Sequence, residues 1–146
     1  MPRRLYPVLL VLIVVGALHG IRGAEAQGGD MSAESIRGRW GFSAQGTIVP
    51  PAAPAPMPAA AMGIMTFGRD GSCSIADTIN INGFTASRTS LDCTFSVNPD
   101  GTGSLVAFFA GDPGPTPLAF VIVSHKSEIR FIRTDLGVAA GVAKPM

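Results

Sequence analysis

Cys73-Ser74-Ile75-Ala76-Asp77-Thr78-Ile79-Asn80-Ile81-Asn82-Gly83-Phe84 opens a stretch that runs on through Cys93 to Asn98-Pro99-Asp100-Gly101-Thr102-Gly103. Asn-Gly between two alternating runs is the strongest short-range hairpin signal, because both residues tolerate the positive φ that a tight hairpin turn demands. A three-residue loop over Asn82 to Phe84 sets Ile81 against Thr85, Asp77 against Thr89, Ile75 against Leu91 and Cys73 against Cys93. The two cysteines then face each other. Asn98-Pro99-Asp100-Gly101 is a second turn, with proline presetting φ and glycine closing it. Three antiparallel strands follow, with Cys73, Ile75, Asp77, Ile79 and Ile81 on one face of the first and Leu91, Cys93, Phe95 and Val97 on the matching face of the second.

Working outward, the same period-two alternation recurs on both sides. Trp40, Phe42 and Ala44 share a face of a strand that starts at Gly38. Ala60 to Phe67 forms the next, and Gly68-Arg69-Asp70-Gly71 turns into the Cys73 strand. Beyond Gly101, strands are predicted over Gly103 to Ala110, Leu118 to Val123, Glu128 to Thr134 and Val138 to Lys144. The unbroken apolar run Leu118 to Val123 reads as a strand buried on both faces or deep in a closed barrel. Residues 49–58 carry Pro50, Pro51, Pro54, Pro56 and Pro58 and read as an extended loop outside any sheet, since proline lacks the ladder donor. That loop is either a docking lid or a stiff hairpin connection.

Eight short strands with turns between them and no helix of three turns predict an all-β chain. Sequential hairpins favour an eight-stranded antiparallel up-and-down barrel, which removes edge strands, over a two-sheet β-sandwich. The strands lack the aromatic girdles of an outer-membrane barrel.

The N-terminus has the form of a secretory signal: Arg3 and Arg4, an apolar run from Leu5 to Leu18, and Ala24-Glu25-Ala26 as a cleavage site. The run is short for a membrane span. Residues 1–26 are expected to be removed, 27–37 to form a loose leader, and 38–146 to fold as one domain that is periplasmic or secreted, without stable membrane insertion. The net charge of the whole chain is +1, and no basic field exists to recruit nucleic acid. Two cysteines in the exported part predict a Cys73–Cys93 disulfide.

The inventory of reactive groups is thin. His125 sits in a turn with Ser124 and Ser127, where neighbouring residues cannot adopt triad geometry. No catalytic residue, cofactor or metal site is expected. Asp77, alternating with isoleucines, is a polar contact inside a ligand cavity, a carboxylate exposed near a strand end, or one bonded to a neighbouring loop. Asp70, Asp92, Asp100 and Asp112 fall in or beside turns. The phenylalanines, Phe95, Phe120 and Phe131 among them, suit a filled core or an apolar pocket equally.

Gly38-Arg39-Trp40 at the head of the first strand resembles the G-x-W signature of the calycin superfamily, the lipocalins and avidins. The resemblance implies a barrel whose tryptophan, here Trp40, closes one end beneath a basic side chain from a late strand, here Arg133. Biotin is not implied, because avidins line its site with several tryptophans. The runs 98–103 and 128–144 are also similar to small exported bacterial proteins. The expected function is non-enzymatic binding of a small apolar molecule or a partner at the barrel mouth, with Asp77, Phe95, Phe120 and Phe131 as ligand contacts. The alternatives are a structural or adhesive barrel with a filled core, and an enzyme using Asp77 as acid or base.

Overall fold

The computed structural model describes residues 30–49, 55–135 and 137–146. The signal segment, the first residues of the leader and residues 50–54 of the proline-rich loop lie outside them. The strands are β1 (Gly38–Ile48), β2 (Met57–Phe67), β3 (Cys73–Ile81), β4 (Phe84–Val97), β5 (Thr102–Phe109), β6 (Thr116–Val123), β7 (Glu128–Arg133) and β8 (Gly137–Pro145). Each pairs antiparallel with the next and β8 returns to β1, so the sheet is a closed eight-stranded up-and-down barrel.

Closure gives every strand one inner and one outer face, and alternation sorts the side chains. β6 shows this although its sequence does not. Leu118, Phe120 and Ile122 are buried inward, while Val121 is outward and 37% exposed, so the strand is covered on one face only. The proline-rich segment is also shorter than its composition implies. β2 begins at Met57, and Pro58 sits within it opposite Thr47, its carbonyl accepting the Asn82 N–H at 2.9 Å. A strand tolerates a proline where only its carbonyl is needed.

The β3–β4 hairpin turns in two residues, not three. Asn82 and Gly83 both have positive φ, 50° and 90°, the type I′ geometry that suits the right-handed twist of the strands. Ile81 therefore faces Phe84, Ala76 faces Thr89, and Asp77 faces Arg88. Further along, β4 carries a bulge. Against β5 its register shifts by one residue between Ser90 and Asp92, leaving Leu91 unpaired and 74% exposed, not inward against Ile75. The Ser90 hydroxyl accepts the Ile75 N–H at 3.0 Å across the gap, satisfying a donor the bulge removes from the ladder. Beyond the bulge the register is the one that places Cys73 by Cys93, and the two form the disulfide. A shorter turn and an extra residue thus offset each other.

One end of the barrel is packed shut. Trp40, Phe67 and Phe95 meet edge to face, with centroids 6.4 Å and 4.9 Å apart. A 3-10 turn, Ala33–Ile36, lies across this end. Ile36 is 1% exposed, and its carbonyl accepts the Trp40 Nε1–H at 2.7 Å, so the indole is buried without an unpaired donor. Leu105, Ile122, Ile129 and Ala143 complete the plug.

Candidate functional site

The other half of the barrel is hollow because its walls are unequal in bulk. Three neighbouring strands present small inward residues: Ala139 from β8, Ala44 from β1, and Ala59 and Ala61 from β2. Phe109 of β5 and Leu118 of β6 stand across from them, and Ile79 of β3 and Phe131 of β7 flank them. Side chains this small cannot reach the opposite wall. The result is a cavity with about 80 Å³ of space open to water-sized molecules, floored by the Phe42–Phe131 edge contact at 6.0 Å. It shares Ile48, Ile79, Arg88 and Arg133 with an outer mouth of about 380 Å³ that the Asp112 to Pro115 loop borders.

Three ion pairs, made by two arginines, stand between cavity and mouth. The turn-proximal half of β4, before the bulge, has inverted parity, so Arg88 points into the barrel. Its Nε and Nη2 donate to the two Asp77 carboxylate oxygens at 3.1 Å and 2.8 Å. Nη1 donates to Asp112 at 3.0 Å, and the guanidinium lies 4.0 Å over the Phe109 ring. The Asp77 side chain is only 4% exposed and that of Arg88 16%. A bidentate pair beside an aromatic face is a geometry that arginine, unlike lysine, can supply. Both oxygens of Asp77 are thereby engaged. The carboxylate serves as a counter-ion, and the arrangement leaves it poorly placed for proton transfer.

Arg133, at the end of β7, donates to Asp135, with Nη2 at 2.7 Å from one oxygen and Nε on the other. These bonds hold its guanidinium above its ordinary value; burial opposes this, and the charges of Asp135 and Asp112 add to it. Arg133 is at the mouth and Trp40 at the closed end, so the indole's polar partner is the Ile36 carbonyl and not a late-strand arginine.

Of the other residues singled out from the sequence, Asp77 and Phe131 line the cavity. Phe95 packs in the closed end against Phe67, and Phe120 is buried outside the cavity lining. Asp70 and Asp100 cap their turns, accepting from Ser72 and Thr102. Asp112 does not act as a solvated turn residue; it is a ligand of Arg88. The residues missed were Arg88, Phe109 and Thr116. A two-residue reading of Asn82-Gly83 would have set Arg88 directly opposite Asp77.

Thr116, the first residue of β6, faces inward, is 9% exposed and lines the cavity. Its Oγ1 is buried with no hydrogen-bond partner among the described residues. Among the described residues no group of three or more His, Cys, Asp or Glu is placed to hold a metal ion, and no helix is long and apolar enough to cross a membrane. No family model, no curated protein and no solved structure matches this chain.

Proposed function

We propose that this is an exported, calycin-like barrel that acts as a non-enzymatic binding protein, taking a small, largely apolar ligand through its open end. One observation carries the reading: a cavity walled mainly by Phe, Ile, Leu, Met and Ala that continues, among the described residues, into a wider mouth. Ligand sites have this character, apolar walls with a few convergent polar groups. The disulfide supports the compartment, since such bonds persist where the surroundings are oxidising.

Native mass spectrometry on protein taken from the exported fraction, together with titration by an apolar fluorophore, tests both parts. The expected outcome is a mass for residues 27–146 less two hydrogens, and saturable fluorophore uptake reversed by a competitor. Fluorophore uptake only on unfolding would favour a filled, structural barrel and overturn the binding reading.

A further inference from the structure

Among the described residues, the apolar cavity contains two sets of polar atoms without partners. A guanidinium has five N–H donors. Three of those on Arg88 are taken by Asp77 and Asp112, leaving one N–H on each terminal nitrogen. The second set is the Thr116 hydroxyl, more than nine-tenths buried and unpartnered among the described residues. Both residues line the same chamber. A buried hydroxyl without a partner is costly, and a bound acceptor that satisfies it recovers that cost. Electrostatics narrows the choice of acceptor. Arg88 and Arg133, the two cations that line the chamber, face three carboxylates, Asp77, Asp112 and Asp135, so the cluster as a whole is negative and disfavours a further anion.

We infer that the ligand is an uncharged, mainly apolar molecule bearing a carbonyl oxygen, which accepts from the Thr116 hydroxyl and a spare Arg88 N–H while its hydrocarbon part fills the space beside Ala44, Ala61 and Ala139. This rests on the binding reading above and names the ligand class.

The test uses a matched set of probes, cyclohexanone, its hydrocarbon isostere methylenecyclohexane, and cyclohexanecarboxylate, titrated at pH 7 by protein-observed NMR. The proteins are the wild type, Thr116→Val and Thr116→Ser. Because the two neutral probes differ in transfer free energy, the quantity read is their affinity ratio. The ratio should shift against the ketone by about tenfold in Thr116→Val, the scale of one buried hydrogen bond, and Thr116→Ser should retain it. The carboxylate should bind about tenfold or more weakly than the ketone. An unchanged ratio in Thr116→Val, with the hydrocarbon still binding, overturns the carbonyl anchor and leaves the apolar cavity standing. A carboxylate that binds more tightly than the ketone overturns the uncharged class. No binding by any probe up to its solubility overturns the binding reading and the anchor with it.

Discussion

Arg88 and Asp77 are direct cross-strand partners on the inner face of the barrel, joined by two hydrogen bonds at 2.8 Å and 3.1 Å. Breaking a buried pair from one side leaves the other charge unpaired, which costs more than the pair itself contributes. Arg88→Met should therefore destabilise the fold by about 3 kcal/mol. Adding Asp77→Leu to it should recover most of that loss. Urea unfolding of the two single variants and the double variant gives the coupling directly, and additive losses would show that the pair acts independently.

The Cys73–Cys93 bond closes a loop of sequence separation 20. A loop of this length restricts the unfolded chain by an amount equivalent to about 3 kcal/mol. Reduction, or the Cys73→Ala/Cys93→Ala double substitution, should lower stability by that order. A thermal midpoint unmoved by reductant would contradict it.

Gly141 in β8 lies beneath Phe131, its partner on β7. A β-carbon there would press on the Phe131 ring, 2.7 Å from Cε2, and sit 2.6 Å from the Ser43 carbonyl oxygen of β1. Neither contact is acceptable, and the backbone oxygen cannot rotate away. Gly141→Ala should cost about 2 kcal/mol through overpacking and perturb the cavity floor, seen as a loss of fluorophore affinity greater than at an outward position such as Ala140.

Acid should act on the turns. The Ser72 hydroxyl and then its N–H hold the Asp70 carboxylate below its ordinary 3.8, and Thr102 does the same for Asp100 in the same order. A carboxylate whose folded value is depressed contributes stability that is full above the unfolded value and disappears as pH falls through the folded one. The urea midpoint should thus fall as pH drops below about 4. Asp100→Asn should flatten that slope, and an unchanged slope in both Asp70→Asn and Asp100→Asn would place the acid sensitivity elsewhere.

The sequence by itself determined the alternation, the positions of the turns and the pairing of the cysteines, and these favoured an eight-stranded barrel over a sandwich; the β8–β1 pairing of the tertiary structure closed it. The alternation and the turns are local: period two follows from the pleat, and Asn82-Gly83 and Asn98 to Gly101 specify their own backbone conformations. Only the tertiary structure decided which way the turn-proximal half of β4 faces. Alternation fixes the face of a residue relative to its neighbours, and one extra residue at Leu91 inverts that parity. Extrapolating back from Cys93 and Phe95 points Arg88 at solvent, whereas the bulge turns it inward to Asp77. The arrival of Asp112 from a loop, the separation of Trp40 from Arg133 and the choice between filled and hollow halves are likewise non-local. Whether a ring meets another ring, as Phe67 meets Phe95 and Phe131 meets Phe42, or stands across the cavity from alanines, as Phe109 does, depends on which strands the closure brings opposite each other, and that is set by the register of all eight together.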